Sequence, residues 1–147
     1  MMNKLYLALA VAGVITASSV VAQDTDASIV GAWRMTSLEV PGASGERQTV
    51  PYAGQVIFTE GGTMSVQAMN PDPNAPDGPY TLNGYEAYYG PVTVDDAAKT
   101  FEITIESAAV RDLIGQKFER AFEVSGDQLV LKPTSPDEHW RVTYERD

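Results

Sequence analysis

The most chemically distinctive side chain in this sequence is an arginine within a run of alternating apolar residues. Arg120 is in phase with Phe118, Phe122 and Val124, so in an extended strand its guanidinium shares their inward side. An inward guanidinium is costly unless it is paired. Two interpretations therefore remain open. Arg120 binds a carboxylate or other anion of a ligand, or it has a structural partner such as an inward acidic group, backbone carbonyls or the face of Trp33.

Tyrosines form the second candidate group. Tyr80, Tyr85, Tyr88 and Tyr89 surround the longest connection of the chain, and an apolar ring with a polar tip suits an amphipathic ligand at a pocket mouth. Ordinary packing beneath a long loop is the alternative for these rings. The candidate ligand-binding residues are Met64, Tyr85, Tyr88, Tyr89, Arg120, Trp140 and Tyr144.

The other chemistry-bearing residues exclude several classes of function. The sequence has no cysteine, which rules out thiol chemistry and thiolate metal sites. His139 is the one histidine, and its position predicts a solvated strand end rather than a metal ligand or a catalytic base. We therefore predict no catalytic residue, no metal and no cofactor. The net charge of −10 argues against nucleic-acid and membrane-surface partners.

Eight segments with period-two alternation are expected to position these side chains. Short links containing Gly or Asp predict hairpins between several of them. The predicted strands are Ile29–Val40 (with an irregularity near Ser37), Gln55–Thr59, Thr63–Met69, Tyr89–Asp95, Thr100–Ser107, Lys117–Val124, Gln128–Lys132 and Trp140–Arg146. Leu82–Tyr88 and Ala108–Ile114 could each form one or two helical turns.

The alternation predicts an all-β fold, an eight-stranded antiparallel up-and-down barrel. One face of the strands is apolar and the other carries most of the charged residues, so the barrel has an interior just wide enough to be filled or to hold one small ligand. Gly31-x-Trp33 on the first strand predicts a floor for this interior. Arg146, at the end of the last strand, can stack on the indole.

The N-terminal residues have the features of a secretory signal peptide. Lys4 provides a positive region, Leu5–Ile15 is an apolar stretch too short to span a bilayer, and Val20-x-Ala22 resembles a cleavage site. We therefore predict a signal peptide over residues 1–22, a single mature domain over 23–147, and a periplasmic or extracellular location. After cleavage no membrane association is expected, and the protein would be a monomer or a weak oligomer.

Several motifs together resemble the bacterial lipocalin-like domain family. They are Gly31-Ala-Trp33-Arg34-Met35, Gly62-Thr-Met64-Ser65-Val66-Gln67, Tyr85-Glu-Ala-Tyr88-Tyr89-Gly90, Arg120-Ala-Phe122-Glu123-x-x-Gly126-Asp127-x-Leu129 and Tyr144-Glu145-Arg146. The resemblance implies a lipocalin-like β-barrel with an internal cavity but no single activity. Family members often carry two adjacent histidines on the fifth strand, where this chain has Ile103-Thr104, so no role of those imidazoles transfers.

The sequence therefore predicts an exported lipocalin-like protein that binds a small, mostly apolar molecule in the barrel cavity. A cyclase or isomerase that uses the same cavity for a small hydrophobic substrate is the alternative. A third possibility is a filled barrel with a purely structural or interaction role. A void that touches Arg120 and Tyr88 would argue against that third possibility.

Overall fold

The structure is a computed structural model that describes residues 28–147. The predicted signal peptide, its cleavage site and the predicted mature N-terminus at Gln23 lie outside the described residues. Among the residues described, no helix is long and apolar enough to cross a membrane.

Eleven strands and one short 3-10 helix make up the described chain. The strands are β1 (Gly31–Pro41), β2 (Arg47–Val50), β3 (Ala53–Phe58), β4 (Thr63–Met69), β5 (Thr81–Leu82), β6 (Tyr85–Asp95), β7 (Thr100–Thr104), β8 (Ser107–Ala108), β9 (Lys117–Ser125), β10 (Gln128–Pro133) and β11 (Arg141–Arg146). The 3-10 helix spans Arg111–Leu113, within the segment for which one or two helical turns were predicted.

Eight of these strands close into an antiparallel barrel, as the alternation predicted. The order is β11-β10-β9-β7-β6-β4-β3-β1, and β1 pairs with β11 to complete the ring. The three shorter strands pair with its members: β2 with β1, and β5 and β8 with β6. The β1–β11 register shifts between Met35 and Ser37, which is the irregularity that the sequence predicted.

The helical prediction for Leu82–Tyr88 was wrong. Leu82 ends β5, and β6 begins at Tyr85, four residues before the predicted strand. Tyr85 to Tyr88 extends the alternation of Val92 and Val94, and aromatic residues favour a pleated surface. Gly90 allows β6 to continue past this position, since a Cβ there would collide with the carbonyl oxygen of Thr104.

One end of the barrel is closed by the predicted floor. Trp33 is fully buried, its indole Nε1 donates to the carbonyl of Ile29 at 2.8 Å, and Arg146 lies over its ring at 4.0 Å from the centroid. The guanidinium of Arg146 also donates to the carbonyls of Ser28 and Val30, both at 3.0 Å. A side chain at Gly31 would meet Arg146 at 2.6 Å, so the stack requires a glycine there.

Replacing Trp33 by alanine should lower the free energy of unfolding by about 3–5 kcal/mol, because a buried indole leaves a large cavity and releases the Arg146 stack. Denaturant midpoints at an unchanged m-value would measure the loss. A loss below about 1 kcal/mol would contradict the role of Trp33 as the floor.

Candidate functional site

A cavity of about 340 Å³ lies inside the barrel. Its polar lining residues are Tyr52, Tyr80, Thr81, Glu86, Tyr88, Arg120, Glu138, Trp140 and Tyr144. Its apolar lining residues include Met35, Leu38, Val40, Met64, Val66, Phe101, Leu131 and Val142. The barrel is therefore not filled by its own side chains, and its void touches both Arg120 and Tyr88.

The strands that line the cavity explain why most of its surface is apolar. Met64 and Val66 on β4, Leu131 on β10 and Val142 on β11 are inward residues of period-two strands, and all are buried. They form a hydrophobic wall that would exclude water from a bound molecule. The polar groups belong to β5, β6, β9 and β11 and to the residues just before β3, β5 and β11.

Arg120 on β9 is buried and points into the barrel, and its charge is already balanced. Its Nη1 atom lies 3.1 Å from Oε1 of Glu138, and its Nη2 atom donates to the hydroxyl of Tyr80 at 3.2 Å. Its remaining contacts include the carbonyl of Glu119 at 3.0 Å. The guanidinium lies 5.2 Å from the ring centroid of Trp140 and 4.9 Å from that of Phe118. This geometry favours the structural interpretation of Arg120.

Glu138, which precedes β11, is satisfied as completely as its partner. Its Oε2 atom accepts from the hydroxyl of Tyr80 at 2.7 Å and from the indole of Trp140 at 2.9 Å. Burial alone would raise the pKa of Glu138. The hydrogen bonds from Tyr80 and Trp140, together with the charge of Arg120, outweigh burial and hold this pKa below its usual value. The pair is therefore ionised and internally neutral.

Tyr80 connects the Arg120–Glu138 pair to the proline-rich loop, residues 70–79, which precedes β5. Burial and its hydrogen bond to Glu138 raise the pKa of Tyr80 to about 12, so its phenol stays protonated. Asp77 fixes the same loop by accepting from the backbone nitrogens of Asn83 at 2.9 Å and Gly84 at 2.7 Å. Gly78 donates to the hydroxyl of Thr81 at 2.7 Å. The loop is thus held to the residues before β6 by Asp77 and to the cavity by Tyr80.

The second polar group of the cavity is left open. Glu86 and Tyr88 are inward residues of β6, and Tyr144 is an inward residue of β11. Tyr88 hydrogen-bonds the carboxyl of Glu86, but none of the ion pairs found among residues 28–147 includes Glu86. Within residues 28–147, burial and the charge of Glu86 act on the Tyr144 hydroxyl, and no hydrogen bond contributes to its pKa. These groups can still accept or donate to a bound molecule.

The environment shifts the titration of Glu86. Burial raises the pKa of Glu86 to about 7, although the charge of Arg120 and the hydrogen bond from Tyr88 act in the opposite direction. Burial likewise raises the pKa values of Tyr88 and Tyr144, and the nearby carboxyl of Glu86 raises both further. Near neutral pH the phenols of Tyr88 and Tyr144 are therefore neutral, and the carboxyl of Glu86 is protonated in some molecules and ionised in others.

The structure separates the predicted ligand-binding residues into two groups. Met64, Tyr88, Arg120, Trp140 and Tyr144 all line the cavity. Tyr85 and Tyr89 are 41% and 42% exposed, and neither lines it. They alternate with Glu86 and Tyr88 along β6, so their rings lie on the outer face of the barrel. His139 is exposed, as the sequence predicted.

Both carboxyl-bearing residues of the cavity were missed by the sequence analysis, and both follow a detectable pattern. Glu138 is two residues before Trp140 and in phase with Val142, so it is inward if the alternation is extended backward. Glu86 is in phase with Val92 and Val94 and would have been found by beginning the fourth predicted strand at Tyr85 instead of Tyr89.

Replacing Arg120 by methionine should lower the free energy of unfolding by about 3 kcal/mol, because the buried carboxylate of Glu138 loses its partner. The expected loss is at the lower end for buried pairs, since the Glu138 side chain is 23% exposed. Arg34→Met is the matched control. Its pair with Glu145 is exposed, and we expect a loss below about 1 kcal/mol. Equal losses in the two variants would refute the structural role of Arg120.

Replacing Glu86 by glutamine should stabilise the protein at alkaline pH. The raised pKa means that the contribution of Glu86 to stability is most favourable where Glu86 is protonated in the folded and unfolded states alike. This contribution falls as the pH rises from about 4.5, the ordinary pKa of the group, through about 7, its raised pKa in the folded protein. Above that range Glu86→Gln should be more stable than wild type by about 2–3 kcal/mol, and below it the difference should vanish. Urea unfolding at several pH values measures this, and a difference independent of pH would contradict it.

Comparison with known proteins finds one matching family. A lipocalin-like domain family matches residues 30–143. No curated protein matches the chain. Among solved structures, an uncharacterized protein from Bacteroides eggerthii DSM 20697 has 16% identity and a TM-score of 0.49, over 80% of this chain and 98% of that one. The fluorescent protein UnaG has 14% identity and a TM-score of 0.41, over 81% of this chain and 97% of that one. The family match covers most of the sequence and nearly all of the closed barrel, so this chain belongs to the lipocalin-like domain family.

Proposed function

We propose that this protein is exported and binds a small, mostly apolar molecule in its barrel cavity. A lipocalin-like barrel supports ligand binding in general. The observation that carries the finer proposal is the cavity of about 340 Å³, with apolar walls and a few polar groups. Ligand sites typically combine an apolar lining with a small number of orienting polar groups at about this size.

The arrangement of the polar groups supports a ligand with an apolar body and one polar end. The Arg120–Glu138 pair is balanced internally and adds no net charge to the cavity. Glu86, Tyr88 and Tyr144 keep hydrogen-bonding capacity, and β6 and β11 hold them as fixed inward positions. A bound molecule can therefore bury its apolar part against the wall formed by Met64 and Val66 while its polar end meets these groups.

Export is supported by the sequence of residues 1–22, which has the charged, apolar and small-residue regions of a secretory signal peptide. The net charge of −10 supports a small-molecule partner rather than a nucleic acid. A barrel whose edge strands pair with each other also has no long open edge to recruit further copies, which supports a monomer or a weak oligomer.

A cyclase or isomerase acting in the same cavity is the second candidate function. The specific observation in its favour is Glu86, because a carboxyl group with a pKa of about 7 can both accept and donate a proton near neutral pH. Tyr88 and Tyr144 could stabilise charge that develops on a substrate oxygen. Turnover of the natural ligand would distinguish this enzyme from a binding protein.

Native mass spectrometry of the protein purified from its own host tests the proposal directly. We expect the mass of a chain that begins at Gln23, with a small apolar molecule bound without a covalent bond. A chain that retains Met1 in the membrane fraction would contradict cleavage of the predicted signal peptide after Ala22. A ligand-free protein that also fails to bind the neutral dye Nile red would contradict the binding function.

Two substitutions on β4 localise the binding. Val66 faces the cavity, whereas Ser65 points to the opposite face of the same strand. Val66→Trp should fill the cavity and weaken Nile red binding at least about tenfold, at an overpacking cost of about 1–3 kcal/mol. Ser65→Trp should leave binding unchanged. Equal affinity in the two variants would place the dye outside the barrel.

A further inference from the structure

Two carboxyl groups line the cavity, those of Glu86 and Glu138, and they differ in how their charges are balanced. Glu138 is paired with Arg120 and accepts hydrogen bonds from Tyr80 and Trp140. Glu86 has only the hydrogen bond from Tyr88, and no cation is paired with it within residues 28–147. When Glu86 ionises, the lining of the cavity therefore carries one unbalanced negative charge.

We propose that the cavity selects an apolar amine, with the ammonium group of the ligand held by the carboxylate of Glu86 and the hydroxyl oxygens of Tyr88 and Tyr144. This inference rests on the proposed binding function and names the class of ligand. A bound ammonium would supply the cation that the cavity lacks, and it has up to three donors for these oxygens. The apolar body would lie against Met64 and Val66.

The aromatic lining favours the same ligand class. Tyr88, Tyr144 and Trp140 line the cavity, and aromatic rings attract cations when water is excluded. A carboxylate ligand fits less well. Both terminal nitrogens of Arg120 already contact Glu138, at 3.1 and 3.4 Å, and an ionised Glu86 would repel a second anion.

Amine binding should also move a proton. The charged and titratable groups that face Glu86 are Arg120 on β9, Tyr88 on its own strand, Tyr144 on β11, and Tyr52 before β3. The tyrosines stay neutral near pH 7 and Arg120 stays charged. Binding of an ammonium to the protonated carboxyl therefore displaces the proton of Glu86 to the solvent, and the bound pair is ammonium with carboxylate.

Calorimetric titration of the mature protein with octylamine, octanol and octanoate tests this inference, because the three probes share one apolar chain. At about pH 8, where Glu86 is largely ionised and the amine is still charged, octylamine should bind at least about tenfold more tightly than octanol or octanoate. At about pH 6, binding of octylamine in buffers of different ionisation enthalpy should reveal the release of about one proton.

Glu86→Gln should remove both the amine preference and the proton release while octanol still binds. Glu106→Gln is the matched control, because it removes the same charge from an exposed position and should change neither. The preference and the proton release are also measured on the wild-type protein, so they do not depend on the folding of a variant.

Binding of octanol or octanoate as tight as that of octylamine would overturn the amine inference and leave the binding function standing. An amine preference that survives in Glu86→Gln would also overturn it, since another group would then hold the ammonium. Failure of all three probes to bind would count against the binding function itself as well as against the inference.

Discussion

The buried guanidinium of Arg120 is the constraint around which the mouth of the barrel is organised. A cation inside a barrel requires a full set of acceptors, and Glu138 and Tyr80 provide them from two segments that are distant in the sequence. Tyr80 belongs to the proline-rich loop and Glu138 precedes β11. The need of Arg120 for acceptors therefore fixes the position of these two connecting segments, which the hydrogen bonds of the sheet do not hold. Trp140 completes the arrangement by donating to Glu138 and packing over Arg120.

Because Arg120 is paired with Glu138, no cation within residues 28–147 is paired with the neighbouring Glu86. An ion pair made from Arg120 and Glu86 would have left Glu138, which also lines the cavity, as the acid without a cation. The observed choice of Glu138 as the partner places a carboxyl group of raised pKa against open space. The protein thus bears the cost of one poorly solvated acid inside the barrel, and such groups are concentrated at functional sites.

The parts of this structure that depend on local alternation were predictable from the sequence. The inward direction of Arg120, the eight-stranded barrel and the Trp33–Arg146 stack all follow from period two and from residue types within single strands. The partner of Arg120 was not predictable. Whether Glu86 or Glu138 lies closer to Arg120 depends on how β6, β9 and β11 are positioned across the barrel interior. No local sequence pattern encodes that arrangement. Glu86 was missed because Leu82–Tyr88 was interpreted as a segment that could form one or two helical turns.

The closing contact between β1 and β11 has a consequence for the time course of synthesis. Gly31–Pro41 finds its partner in Arg141–Arg146, so the ring joins the first and last strands of the described chain. While the chain is still being made, β1 has no β11 to pair with, and the indole of Trp33 has no arginine above it. The barrel can close only after residue 146 has left the ribosome. Such distant pairing also slows folding, because the entropy of a long loop is lost before the contact forms. A nascent chain of this protein therefore cannot complete its barrel before β11 is free to pair with β1.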